Sequence, residues 1–129
     1  MCLEQINEVE PKGDLFYKVY IEREGKLFCL IRDLNGEIDL GRTEISINTM
    51  YKSEQGFHVW EKREDAEVFA LAVKRTKMSF PKKSKFVVRM VKVGCHKSSG
   101  TAYKNWKNLI RDEGIEYAQA FRFGEIEVK

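Results

Sequence analysis

The sequence predicts a single α+β domain over residues 1–129, in which a mostly antiparallel sheet of about six to eight strands carries two helices. Three observations favour this fold class. Several short segments alternate apolar and polar residues, which is typical of half-buried strands. Two longer segments place apolar residues at helical spacing. The predicted order of segments, β-β-β-β-β-α-β-α-β, makes most strands consecutive, as in antiparallel sheets.

The first half of the chain predicts five short strands. Asn35 and Gly36 predict a type I′ turn between the second and the third strand, because both residue types tolerate positive φ. Polar residues at 52–56 predict a loop before the fifth strand. The five strands are expected at residues 15–22, 26–33, 37–40, 43–47 and 57–60.

The second half predicts two helices that alternate with strands. In the first helix, apolar residues fall at positions i, i+3, i+4 and i+7, with acidic residues at its start and basic residues at its end. The apolar positions are Ala66, Phe69, Ala70 and Val73. The segments that follow are a strand at 85–93, a loop at 95–100, a second helix at 101–112 and one or two strands within 115–128.

Charge is strongly segregated along the chain. No Asp or Glu occurs between Glu67 and Asp112, whereas twelve Lys and Arg residues lie there, all within residues 74–111. We call residues 74–111 the basic segment. It carries a formal charge of +12 and the rest of the chain −9, beneath a net charge of only +3. A block of like charge is typical of an interaction surface, and clustered cations attract polyanions and phosphorylated ligands.

The basic segment predicts a binding site for a phosphate-bearing ligand. Main-chain N–H groups at the start of the second helix, after residues 98–100, are expected to contact a phosphate. Interleaved aromatic side chains offer stacking faces for a base, namely Phe80, Phe86, Tyr103 and Trp106. The principal candidates for ligand contacts are Lys82, Lys83, Lys85, Arg89, Lys97, Lys104 and Lys107. Additional candidates are Arg75, Lys77, His96, Tyr103, Arg111 and His58.

A structural alternative exists for the same segment. Its cations can form solvated faces, or they can pair with acidic surfaces elsewhere in the fold or in a partner subunit. Phe86 and Trp106 also fit the core positions of their predicted strand and helix.

His58 lies inside an apolar strand. Its neighbours Phe57 and Val59 form the expected core face, so the ring of His58 points to the other side, into solvent or under a loop. A histidine in such a place is more often a structural residue, satisfied by a backbone carbonyl, than a general base. The chain has no G-x-S-x-G, Walker, G-x-G-x-x-G or H-E-x-x-H motif, so the sequence favours neither catalysis nor a cofactor.

The three cysteines are widely and irregularly spaced at Cys2, Cys29 and Cys95. This spacing argues against a disulfide framework and indicates a reducing compartment. No C-x-x-C pair occurs, so a metal site is not expected. The N-terminus lacks the features of a secretory signal and no apolar stretch is long enough to span a bilayer, which predicts a cytoplasmic protein without a membrane partner.

Five segments of the chain resemble small, largely uncharacterised proteins carried by phages and prophages. They are MCL, FYKVY, GFHVWEKREDAE, KFVVRMVKV and AQAFRFGEIEV. The resemblance implies an accessory protein of the host cytoplasm that acts by binding a nucleotide signal, nucleic acid or a host defence protein. Residues 95–114 look like an addition to this pattern. GFHVWEKREDA is also similar to the strand and helix of ADP-ribosyltransferase-like folds, which implies a nicotinamide-nucleotide pocket beside the strand.

These observations lead to three hypotheses. The first is a non-enzymatic binding protein, a phage-type accessory or counter-defence factor, whose basic segment binds a nucleotide signal or nucleic acid. The second is an inhibitor that docks its basic face on an acidic host protein. The third is an ADP-ribosyltransferase-like enzyme acting on NAD. Short strands at 43–47 and 125–129 are expected sheet edges, which favours a homodimer.

Overall fold

The computed structural model describes residues 3–76, 78–105 and 116–129. In these ranges the mostly antiparallel sheet predicted from the sequence is confirmed, but one helix is present instead of two. That helix is not long and apolar enough to cross a membrane. The strands are β1 (Gln5–Asn7), β2 (Leu15–Arg23), β3 (Lys26–Phe28), β4 (Glu44–Ile45), β5 (Met50–Trp60), β6 (Lys85–Asn105) and β7 (Glu116–Val128), and the helix is α1 (Arg63–Lys74).

Four of the strands form a closed ring. The sheet has the order β1-β6-β7-β5-β2-β3-β4, and a further pairing joins β6 to β2. The pairings of β2 with β6, of β6 with β7 and of β7 with β5 extend over many residues. The fourth contact is brief, because β2 and β5 pair only at Tyr17 and Trp60. Beyond this point the two strands separate, which leaves a gap in the wall of the ring.

Strand β6 pairs with different neighbours along its length. Its first half pairs with β2 and its second half with β1. A bulge bends it in the middle, where Cys95 has a φ of 59° and the register against β7 shifts between His96 and Ser98.

Two predictions for this region are wrong. The expected loop at 95–100 and the expected helix start at 101 both lie within β6. The backbone there has pairing partners on both edges, β1 and β7, and the buried Ala102 alternates with less buried neighbours as in a strand. The rest of the second predicted helix, residues 106–112, lies outside the described residues.

Helix α1 confirms the first predicted helix. Its four predicted apolar positions are buried against the sheet, Trp60 packs on Phe69 with ring centroids 5.4 Å apart, and the helix contacts β2, β5 and β6. Acidic residues occupy its first turn and Lys74 its last, which suits the helix dipole. The apolar residues of β5 and α1 therefore form a layer outside the ring.

Apolar side chains pack on both sides of the ring. One cluster includes Phe16, Phe121 and Phe123 and draws on all four ring strands. The other lies under α1 and includes Val19 and Trp60. Because β2 contributes to both clusters, both of its faces are buried along most of its length.

Several strands of the first half differ in length from the prediction. Strand β3 ends at Phe28, and residues 29–43 form a long connection in which Arg32 and Ile38 make an isolated bridge. The type I′ turn is wrong, because φ is positive at Gly36 but not at Asn35. Strand β5 begins at Met50, so the predicted loop at 52–56 lies within it, where pairing with β7 is interrupted.

Candidate functional site

A cavity of about 330 Å³ occupies the gap between β2 and β5. Residues 29–43, which we call the covering loop, supply one of its walls. Cavities of this size with mostly apolar walls and a few polar groups are typical of small-molecule sites. The apolar walls include Val19, Tyr20, Leu30, Ile31, Leu34, Phe57, Trp60, Phe69 and Ile126.

Hydrogen bonds hold the covering loop in shape. The carboxylate of Asp33 accepts from the main-chain N–H groups of Asn35 and Glu37 at 2.8 and 2.9 Å. The guanidinium of Arg32 donates to the carbonyl of Gly36 at 2.7 Å. A Cβ atom at Gly36 would collide with the side-chain amide of Gln55 on β5, so glycine lets the loop approach this strand closely.

Lys18 projects into the cavity from β2. Its Nζ donates a hydrogen bond to the main-chain carbonyl of His58 at 2.8 Å, and burial lowers its pKa to about 8. Arg89 lies directly opposite on β6 and brings a second positive charge to this pair of strands. No carboxylate within the described ranges forms an ion pair with Lys18. Lys18 is therefore a partly buried cation at neutral pH without an ion-pair partner among the described residues.

Arg122 reaches the same cavity from β7. Its Nε atom is buried and has no hydrogen-bond partner in the described part of the chain. A buried N–H without an acceptor is destabilising, and a charged donor more so. Gly56 leaves room for this side chain, since a Cβ atom there would lie 2.6 Å from Cγ of Arg122. Arg122 thus lines the cavity with a partly exposed guanidinium whose Nε has no partner within the described residues.

The ring of His58 lines the cavity beside these cations. Burial, followed by the charges of Lys18 and Arg122, lowers its pKa to about 3, so the ring is neutral at physiological pH. The expected core face is confirmed, because Phe57 and Val59 are buried. The hydrogen bond with a backbone carbonyl differs from the prediction: the carbonyl of His58 itself accepts from Lys18.

The remaining ionisable groups leave the cavity positively charged. The carboxylate of Asp33 is engaged by the covering loop, as the two main-chain contacts show. Burial raises the pKa of the Cys29 thiol to about 11, so it stays protonated and is a poor nucleophile. Lys18, Arg32 and Arg122 therefore face a single carboxylate. Among the described residues, no group of three or more His, Cys, Asp and Glu is placed to hold a metal ion.

The principal candidates of the basic segment are dispersed. Lys85 and Lys104 lie at opposite ends of β6, and Lys97 is exposed at its central bulge. Lys82 and Lys83 are exposed in the turn before β6.

Two other principal candidates serve the fold. Lys104 forms ion pairs with Asp65 at 2.8 Å and with Glu116 at 3.8 Å, and the bond to Asp65 raises its pKa. Arg89 donates from Nη2 to the main-chain carbonyl of Lys129 at 2.8 Å. These contacts agree with the structural alternative for this part of the sequence. Lys107 lies outside the described residues.

The additional candidates do not form one site either. His96 hydrogen-bonds the hydroxyl of Ser99 at 2.8 Å, and Tyr103 packs on Tyr117 with ring centroids 4.8 Å apart. Arg75 is exposed at the end of α1. Lys77 and Arg111 lie outside the described residues. The expected phosphate seat after residues 98–100 is wrong, because no helix begins there.

Of the predicted residues that lie within the described ranges, only His58 lines the cavity, and the three cations of the cavity were missed by the sequence analysis. One signal was present. Lys18 stands between Phe16 and Tyr20 on β2, where a lysine interrupts an apolar face. Arg122 carries no such signal, because its position depends on how β7 pairs with β5.

The fold and the cavity together define a small α+β protein with a positively charged interior site. Comparison with protein-family models, with curated proteins and with solved structures finds no match for the chain.

Proposed function

We propose that this protein is a non-enzymatic binding protein for a small phosphate-bearing ligand of the nucleotide class, held in the cavity between β2 and β5. One observation carries the proposal: a mainly apolar cavity is lined by the three cations Lys18, Arg32 and Arg122 and by the single carboxylate of Asp33. A bound anion offsets the mutual repulsion of these cations and can accept hydrogen bonds from Nζ of Lys18 and from the terminal nitrogens of Arg122.

The rest of the cavity suits the body of such a ligand. The partly exposed Tyr51 contributes an aromatic ring to its walls, and such a ring can stack on the flat apolar face of a base. The volume of about 330 Å³ lies at the lower end of the range for small-molecule sites, which favours a compact ligand over a polymer.

Binding without catalysis fits the chemistry of the cavity. The neutral ring of His58 has a pKa of about 3, far below the value that suits a general base at neutral pH. The thiol of Cys29, with a pKa of about 11, is not activated. The ADP-ribosyltransferase-like alternative needs a catalytic carboxylate, and Asp33 is already held by main-chain N–H groups.

The test is a thermal-shift screen followed by calorimetry, with mono-, di- and cyclic nucleotides, inorganic pyrophosphate and uncharged adenosine. A nucleotide that binds the cavity raises the melting temperature more than adenosine does. Arg122→Gln is expected to lower its affinity about 10- to 100-fold, the range for a hydrogen bond to a charged group. Arg75→Gln, a change at an exposed arginine outside the cavity, is the matched control and should leave the affinity unchanged.

The pH dependence of the binding affinity tests whether Lys18 is part of the site. Its pKa of about 8 in the free protein means that the affinity for an anion falls as pH rises above 8, while the ammonium loses its proton. Lys18→Met should remove this dependence. The proposal is overturned if no nucleotide or pyrophosphate shifts the melting temperature, or if Arg75→Gln weakens binding as much as Arg122→Gln.

A counter-defence role extends this proposal. The resemblance to phage-borne accessory proteins suits a protein that sequesters a nucleotide signal in the host cytoplasm. Expression in a host that carries a nucleotide-signalling defence should then protect a sensitive phage, and Arg122→Gln should abolish the protection. Protection that survives this substitution would show that the biological role does not depend on ligand binding in the cavity.

Nucleic-acid binding is a second candidate function, supported by a different surface. Lys82, Lys83 and Lys85 are exposed and form no ion pair with any described residue. If they contact phosphates of an oligonucleotide, binding falls steeply with salt, and each lost lysine reduces the slope by about one charge. A gel shift at two salt concentrations tests this candidate.

A further inference from the structure

A second concave surface lies between α1 and the start of β6, away from the cavity. It is a groove of about 500 Å³, which we call the helix groove. Its apolar part is formed by Ala70 and Leu71 of the helix and by Phe86 and Val88 of the strand. Leu71 is 51% exposed, although it lies in a helix whose other apolar residues are largely buried. The lining of the helix groove is Arg63, Glu67, Ala70, Leu71, Lys74, Ser84, Lys85, Phe86 and Val88.

The charge of the helix groove is positive. Arg63 is paired with Glu67 at 3.1 Å, so these two charges largely cancel. Lys74 and Lys85 remain, and neither forms an ion pair with a described residue. Glu22 lies opposite Lys85 across the β2–β6 pairing without pairing with it. Two unpaired lysines therefore flank an exposed apolar strip.

This combination fits a protein segment better than nucleic acid. The exposed side chain of Leu71 gains by burial against another apolar side chain, which a phosphate backbone does not supply. The ring of Phe86 packs edge-on against Phe80 with centroids 5.1 Å apart, so it is engaged within the fold and does not offer a free stacking face. An apolar floor with cations on both sides instead matches a peptide that carries leucines between carboxylates.

We propose that the helix groove docks an acidic, leucine-containing segment of a partner protein. Leucine side chains of the segment cover Leu71 and the partly exposed Val88, and its carboxylates lie beside Lys74 and Lys85. Charge complementarity speeds the encounter, and burial of the apolar strip supplies affinity. This interaction does not depend on the cavity, so that one protein can bind a small anion and a partner on separate surfaces.

The test is fluorescence anisotropy with a labelled twelve-residue peptide of glutamates and leucines at helical spacing. Two companion peptides separate the contributions, one with Gln in place of every Glu and one with Ser in place of every Leu. The acidic leucine peptide is expected to bind, and both companions should bind at least tenfold more weakly.

Substitutions locate the interaction. Lys74→Glu/Lys85→Glu should lower the affinity at least tenfold and Leu71→Ser severalfold, while Lys12→Glu/Lys26→Glu, a charge-matched change at exposed lysines elsewhere, should have little effect. Melting temperatures of all variants confirm that they fold. Nucleotide affinity in the cavity should be unchanged in Lys74→Glu/Lys85→Glu. A negative result for the peptide therefore leaves the proposal for the cavity intact, and a negative result for the nucleotide leaves the proposal for the helix groove intact.

Three results would overturn the proposal: no binding of the acidic leucine peptide, equal binding of the serine peptide, or equal losses in both lysine pairs. A twelve-nucleotide single strand that displaces the peptide and is itself lost with Lys74→Glu/Lys85→Glu would assign the helix groove to nucleic acid instead.

Discussion

The cavity and the basic segment both hold cations, but the two regions use them differently. In the cavity, Lys18, Arg32 and Arg122 come from three distant parts of the chain and line one concave site, where Lys18 and Arg122 are partly buried and Arg32 is exposed. In the basic segment, twelve cations are close in sequence, yet those described spread from the end of α1 through the turn before β6 and along the whole of β6. Proximity in sequence therefore did not produce proximity in space, because an extended strand separates its residues by about 3.3 Å each.

The difference matters because a charge gains influence as it loses water. Lys18 is partly buried, and desolvation lowers its pKa to about 8, whereas Lys82 and Lys83 are exposed. Exposed charges are screened by solvent and salt, so each one contributes little by itself. Buried charges interact strongly with whatever enters their cavity. Three cations that line one cavity can thus bind a small anion more selectively than a larger number spread over the surface.

The largest effect is expected where the ring of strands closes. Trp60 is the only pairing partner of β2 on β5, is 1% exposed, and forms one wall of the cavity. Trp60→Ala should lower the free energy of unfolding by about 3–5 kcal/mol and enlarge the cavity. Denaturant unfolding measures the loss, with Leu71→Ala as an exposed control that should cost less than about 1 kcal/mol. Equal losses in the two variants would contradict this description of the ring.

The sequence predicted the layers of the fold better than it predicted the site. Alternation and helical spacing located β2 and α1, since burial of one face leaves a direct mark on composition. They failed at residues 95–105, where Gly and Ser indicate a loop but a bulged strand gains partners on both edges. The cavity is beyond local patterns altogether. It exists because β2 and β5 part after one pairing, and this depends on the register of the whole ring.

The next largest effect is the pH dependence of folding stability that His58 produces in the cavity. The ring of His58 has a pKa of about 3 in the folded protein and an ordinary value near 6.5 in the unfolded chain. Below pH 6.5 the unfolded state takes up a proton that the folded state does not, so stability falls as pH decreases from 6.5 towards 3. The loss by pH 4.5 should be roughly 2–3 kcal/mol.

His58→Gln provides the comparison for this pH dependence. Unfolding of both proteins at pH 7 and pH 4.5 isolates the contribution of the ring from that of the carboxylates, which the two proteins share. The variant should lose less stability than the wild type over this interval. If both lose the same amount, the ring of His58 is accessible to protons and the cavity is wetter than its lining indicates.

A smaller effect distinguishes paired from unpaired cations within the basic segment. Lys104 pairs with Asp65, a buried carboxylate at the start of α1, and ties β6 to the helix. Lys104→Met should destabilise the fold by about 1–2 kcal/mol, because it leaves Asp65 without its cation. Lys82→Met is the exposed control. A double-mutant cycle with Asp65→Asn measures the coupling free energy between Lys104 and Asp65 directly. A coupling near zero would show that this ion pair does not stabilise the fold.

The smallest effect on stability is expected at the two exposed lysines before β6. Lys82→Ala and Lys83→Ala should each change the free energy of unfolding by no more than about 0.5 kcal/mol, because exposed side chains without partners contribute little to folding. The effect of these two substitutions on nucleotide affinity then decides whether the ligand binds the cavity or the basic segment. If the cavity is the site, the double variant binds a nucleotide as the wild type does, while Arg122→Gln loses affinity. The opposite result would be a double variant that loses nucleotide affinity while Arg122→Gln keeps it. The ligand would then bind the basic segment, as the sequence alone had predicted. The unsatisfied Nε of Arg122 would in that case have no role in ligand binding.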